Sequence, residues 1–181
     1  MTGTIETSRL TLRPMTAADA DFLFDLFGRP EVARWSRQGI PMVNRDEAVA
    51  RIAGQPERIG DHPAAGIFLV SAGEVPVGTV VLVPIPSSAG LDRDDMEIGW
   101  HFHPDVWGSG YATEAAQALV GRAFAAGIPE LYAVTDPDNA PSQAVCRRLG
   151  MTDLGLRADW YDCELQAFRL DHPRRTSSRV C

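Results

Sequence analysis

No apolar run in the sequence approaches the roughly 20 residues that a membrane-spanning helix needs. The opening MTGTIETSRL lacks both the basic region and the apolar stretch of a signal peptide. A cytoplasmic protein without a membrane partner is therefore expected. Cysteine is scarce: Cys146, Cys163 and Cys181 are an odd number with no C-x-x-C spacing, which argues against a disulfide framework and a structural zinc site. Positive charge is short as well. The formal net charge is -7 and basic residues cluster only in HPRRTSSR, so nucleic acid is not an expected partner. An acidic surface suits a cationic substrate, although it also serves solubility alone. No Gly-Lys pair exists, which removes the Walker loop and with it a nucleotide triphosphatase.

What remains is the pattern of one globular domain: 181 residues, 45% hydrophobic and 23% charged. Residues 8–171 are expected to form that domain, between polar tails at 1–7 and 172–181. RLTLR alternates like a half-buried strand, and a helix follows with Thr16 as its cap and Leu23, Leu26 and Phe27 as its stripe. Gly28 to about Pro63 reads as a surface excursion with a weak helix at Arg45–Ala53. GIFLVSAGEVPVGTVVLVP is a hairpin turning at Ala72, Gly73 and Glu74. The strand MEIGWHFH comes next, then a long helix closed by Gly127, the strand LYAVT, and a helix capped by Asn139 and ended by Gly150. ADWYDCELQAFRL reads as one closing strand. This order lacks uniform β-α alternation and predicts an α/β chain of the α+β type, with helices on a mixed sheet.

HFHPDVWGSGYATEA, residues 101–115, carries the chemistry. Gly108 and Gly110 loosen the backbone where the following helix offers unpaired N–H groups and the positive end of its dipole, an arrangement that suits phosphate. An ordinary strand-to-helix turn would use glycine in the same way. GSGYAT falls one glycine short of the dinucleotide fingerprint, and Glu130 precedes the strand whose end should carry the ribose-binding acid. On the strand before the turn, Met96, Ile98, Trp100 and Phe102 share one face, and Glu97, Gly99, His101 and His103 the other. H-x-H with Glu97 could suggest a metal site, but no further ligand cluster accompanies it, and none is expected.

MEIGWHFHPDVWGSGYATEAAQALVGRAF, followed by DNAPSQAVCRRLGM, resembles the acetyl-CoA-binding core of the GNAT N-acetyltransferase superfamily, in its RimJ/RimL-like branch. ETSRLTLRPMTAADADFLFDLF is similar to how that branch begins, so the likeness spans about Glu6 to Leu170. It implies the GNAT fold: one mixed, mostly antiparallel sheet of about six or seven strands flanked by about four helices. Within the family motif [QR]-x-x-G-x-[GA], Gly110 and Ala112 match and Trp107 stands in place of Gln or Arg, a replacement usual in this branch. The resemblance implies that Gly108, Ser109, Gly110, Tyr111, Ala112 and Thr113 cradle the pyrophosphate of acetyl-CoA. It also implies that the backbone near Trp100, His101 and Phe102 meets the pantetheine arm and that Asn139 contacts the CoA arm.

The reaction then expected is transfer of the acetyl group to a primary amine, on a protein N-terminus or a small molecule, by direct attack in a ternary complex. Attack needs a neutral amine, so Glu97 could take its proton or hold the ammonium, or could be a solvated strand residue. The tyrosine that many members place at the position of Cys146 is missing. Ser142, on the same helix face as Asn139 and Cys146, could donate to the departing thiolate or simply complete the helix N-terminus. A non-catalytic acyl-CoA sensor is the other reading, and a homodimer is left open.

Overall fold

A computed structural model describes residues 3–173. Met1 and Thr2, and residues 174–181 with Cys181 and most of HPRRTSSR, lie outside the described residues.

Among the described residues eight strands form one sheet in the order β1-β2-β3-β4-β5-β6-β8-β7. They are β1 (Ile5–Glu6), β2 (Thr11–Pro14), β3 (Gly66–Ala72), β4 (Val75–Pro84), β5 (Met96–Phe102), β6 (Glu130–Thr135), β7 (Thr152–Arg157) and β8 (Leu165–Asp171). Every adjacent pair runs antiparallel except β5 and β6, which are parallel and share a single register pair, Glu97 with Tyr132. Among the described residues six helices accompany the sheet: α1 (Ala20–Gly28), α2 (Pro30–Ala33), α3 (Arg45–Ala53), α4 (Gln55–Ile59), α5 (Tyr111–Ala125) and α6 (Ala140–Arg148). Among the described residues no helix is long and apolar enough to cross a membrane.

Alternation sorts the two faces. Leu12, Phe68, Val80, Leu82, Ile98 and Leu131 pack with Ala115, Ala116, Leu119 and Ala123 of α5 and Cys146 of α6. The alanines let α5 lie close against the strands. Met15 and Leu69 lie on the opposite face with the stripe Leu23, Leu26 and Phe27 of α1 and with Ile52 of α3. Burying one such leucine or phenylalanine stabilises the fold by roughly 1.5–3 kcal/mol. α3 forms where its pattern predicts because the Asn44 side chain accepts from the Glu47 amide at 3.1 Å. The hairpin turns at Gly73 and Glu74, with Gly73 at φ +60.

Strand and helix numbers exceed the six or seven and four expected. The excursion contributes three helices, of which α2 and α4 are too short to carry a periodic signature. β7 escapes the apolar pattern because it is an edge strand with mostly exposed residues and a register break between Asp153 and Gly155. The single closing strand read at 158–170 is in fact a loop followed by β8. Tyr161 and Asp162 adopt φ +61 and +53, which no strand accommodates.

Candidate active site

The parallel pair marks where the sheet opens. His103 N–H donates to Val77 O and Ile85 N–H donates to Asp95 O, bracketing the β4–β5 ladder. Residues 97, 99 and 101 therefore bond to β4, while Ile98, Trp100 and Phe102 direct their backbone groups toward β6. β6 pairs only at Glu97, so beyond it the two strands part and the Trp100 N–H and C=O and the Phe102 N–H face the gap. The Phe102 carbonyl is held by the indole N–H of Trp107 at 2.8 Å, which ties the glycine turn to the end of the strand.

α5 and α6 both begin at this open end, because each follows one strand of the parallel pair; ligands of α/β sheets gather at such strand ends. Gly108 and Gly110 have φ +81 and +80, and a Cβ at Gly108 would meet nothing within 4 Å. The amides of Gly108, Gly110, Tyr111, Ala112 and Thr113 have no partner among the described residues. The Ser109 carbonyl accepts from Arg9 at 2.9 Å. Asn139 caps α6, accepting the Ser142 amide at 3.2 Å, while the half-buried Ser142 hydroxyl has no partner among the described residues and does not bond to Glu97.

On the other face, Glu97, Gly99 and His101 line a cavity of about 80 Å³ closed by α1, α3 and α4. Glu97 is 8% exposed. Burial pushes its carboxyl pKa up, against a hydrogen bond from the Tyr161 hydroxyl and the charges of Arg58 and Arg37. A Cβ at Gly99 would sit 3.2 Å from Val81 Cγ2 and 3.4 Å from Glu97 Oε1, so the missing side chain keeps the carboxylate uncrowded. His101 packs on the Phe27 ring, with centroids 4.9 Å apart. Burial, reinforced by Arg51, lowers its pKa to about 3, so the ring is neutral. Its backbone belongs to the β4 ladder and its side chain to this cavity, whereas those of Trp100 and Phe102 belong to the gap and the α5 face.

Tyr161 and the three arginines were not legible from the sequence. Tyr161 reaches Glu97 because its loop is pinned to the 85–95 loop: Tyr161 N–H donates to Pro86 O, Trp160 Nε1 to Asp95 at 2.9 Å, and Ala89 N–H to Asp162 at 2.7 Å. Glu114, on the first turn of α5, also went unread. Its carboxylate gathers Thr7, Ser8 and Arg9, fixing the N-terminal segment to the glycine turn. Cys146 is 1% exposed and burial raises its thiol pKa to about 12, which suits packing and not an acyl carrier. His103 faces Asp25 and Asp105, and no group of three metal-binding side chains occurs among the described residues.

Residues 9–152 match the acetyltransferase (GNAT) domain family. An Aspergillus fumigatus protein, FsC-acetyl coenzyme A-N(2)-transacetylase, is 31% identical over 163 residues, covering 88% of this chain and 69% of its own. An acetyltransferase structure from Agrobacterium tumefaciens superposes with a TM-score of 0.73 at 27% identity, covering 92% of this chain and 93% of that one. RimL, a ribosomal L7/L12 alpha-N-protein acetyltransferase in complex with coenzyme A, shares the fold at 17% identity with a TM-score of 0.76, covering 93% and 97%.

Proposed function

Since the chain belongs to the GNAT acetyltransferase family, whose members use acetyl-CoA, we propose that it transfers the acetyl group to a primary amine by direct attack in a ternary complex. The observation that carries this reading is the gap between β5 and β6, with unpartnered amides at its mouth and the buried Glu97 carboxylate on the far face of the same strand. The open backbone edge fits an extended amide-bearing arm, and the glycine turn, with Gly108 and Gly110 at φ +81 and +80, fits a pyrophosphate. Trp107 at the head of the turn supports the RimJ/RimL-like branch.

Bound acetyl-CoA supplies the activated acyl group. The backbone of Trp100 and Phe102 aligns the arm, and a free N–H on this edge polarises the thioester carbonyl. Gly108, Gly110, Tyr111, Ala112 and Thr113 hold the phosphates through their amides, with Ser109 shaping the turn. His101 belongs to the acceptor wall. The amine nitrogen bonds to the acetyl carbon, the C–S bond breaks, and the amine proton passes to Glu97, directly or through water, and on to solvent. Burial raises the Glu97 pKa, which makes the carboxylate a better base than a solvated one. Ser142 donates a hydrogen bond to the departing thiolate, which takes up a proton from solvent and leaves as the CoA thiol, and Asn139 orients the first turn of α6 beside it.

CoA release across a panel of primary amines tests the reading, together with calorimetric binding of acetyl-CoA. Glu97→Gln should keep acetyl-CoA affinity and lose about 10²–10⁴-fold in turnover, the usual contribution of a positioned base. Binding without release for any amine would favour a sensor, and no binding would remove the cradle assignment as well.

A further inference from the structure

The Glu97 cavity holds more positive charge than acetyl transfer requires. Arg51 of α3 lies in it with its guanidinium 3.9 Å from the centroid of Phe27. Burial and the neighbouring Arg58 lower its pKa to about 10, and no carboxylate pairs with it among the described residues. The acids of α1 are engaged elsewhere: Asp21 with Arg45, and Asp25 with Arg29 and His103. Arg58 lines the same cavity and acts on both Glu97 and His101. The one carboxylate among the lining residues is Glu97, set against the two guanidinium groups of Arg51 and Arg58. Cationic charge thus stands in excess in a partly dry site, within a chain whose net charge is -7. The sequence contains no lysine, so this charge is delivered entirely by planar guanidinium groups, which bind carboxylate and phosphate oxygens in pairs.

We infer that the acceptor is a small amine that also carries a carboxylate or phosphate, whose anionic group is held by Arg51 and Arg58 while its amino group lies beside Glu97. The inference rests on the acetyltransferase reading above and names its substrate class. With α1, α3 and α4 covering it, the cavity suits a compact acceptor, and Met15, Leu23 and Ile67 provide an apolar wall for an aliphatic side chain. The products are the N-acetylated amine, its anion unchanged, and the CoA thiol.

The test compares kcat/KM for glycine, alanine, leucine and methionine with their carboxamides and decarboxylated amines, and for O-phosphoethanolamine with ethanolamine. The anionic member of each set should exceed its neutral counterpart by at least about 100-fold, and the better of the two anions identifies the source. Arg51→Met should shrink that ratio below about tenfold, and Arg58→Gln should shrink it less, in keeping with its exposure. A merely structural role would lower both rates together and leave the ratio intact. Equal use of neutral amines or spermidine, preference for a peptide with an acidic residue over free amino acids, or an unchanged ratio in Arg51→Met would each overturn the inference. If acetyl-CoA binds and no amine is acetylated, the proposed activity falls separately. Titrating leucine and leucinamide into the CoA-bound protein then reads the anion site without turnover, and equal affinities overturn it.

Discussion

Replacing Tyr161 by Phe removes one hydroxyl and tests whether Glu97 works as a base in its observed setting. The Tyr161 hydroxyl donates to the Glu97 carboxylate and stays protonated, because burial and the adjacent carboxylate both push its own pKa up. A hydrogen bond to an ionised group contributes about 1.5–3 kcal/mol net. At 1.36 kcal/mol per pKa unit, its loss raises the Glu97 pKa by about 1–2 units, on top of the rise that burial already imposes. Since the base acts when ionised, the rising limb of kcat/KM against pH should move to higher pH by that amount. On the acid side of the wild-type limb activity should fall about 10- to 100-fold, and it should recover on the alkaline side. CoA release measured over roughly pH 6–10 provides the profile. A limb that stays in place, or moves toward acid, would refute the coupling, and so would a limb that persists in Glu97→Gln.

Three further outcomes follow from the geometry. Gly110→Val forces a branched side chain into φ +80, a conformation that costs L-residues roughly 1–2 kcal/mol. Acetyl-CoA affinity should fall about tenfold by calorimetry while the thermal transition remains cooperative, and unchanged affinity would count against the phosphate assignment. Gly78→Ala places a Cβ 2.5 Å from Phe102 Cδ1 and 2.7 Å from His101 O, so β5 must shift; denaturant melts should show a loss of about 1–3 kcal/mol. Burial of Glu114 opposes its ionisation, but hydrogen bonds from Thr7, Arg9 and Ser8 outweigh it and lower its pKa from 4.5 to about 2. A depressed carboxylate stabilises the fold above its unfolded value and loses that contribution as pH falls through about 2. The stability gap between wild type and Glu114→Gln should therefore close between about pH 5 and 2 in acid melts.

Much of the frame was readable because it is local. Alternation in 66–84 and 96–102 places strands, Asn139 announces a cap, and paired glycines before an alanine-rich run mark a helix opening onto unpaired amides. Glu97 and the glycine turn were legible for the same reason: strand parity and helix N-termini are properties of a few consecutive residues. β7 was not, because an exposed edge strand carries little apolar signal, and Tyr161 was not, because nothing in WYDC announces two left-handed residues. The acidic composition, which suits solubility as well as a cationic substrate, gave no sign that the cavity beside Glu97 gathers Arg51 and Arg58.

By itself the sequence determined the order of elements, the faces of β5 and the position of the amide-rich turn, each set by periods of 2 and 3.6 residues. Only the tertiary structure decided that β5 and β6 part after one register pair, that residues 64 positions apart meet at the Glu97 carboxylate, and that an arginine of α3 lies there with no counter-ion among the described residues. Those outcomes depend on which distant segments share a buried space, where loss of water and the balance of nearby charges set each group's state.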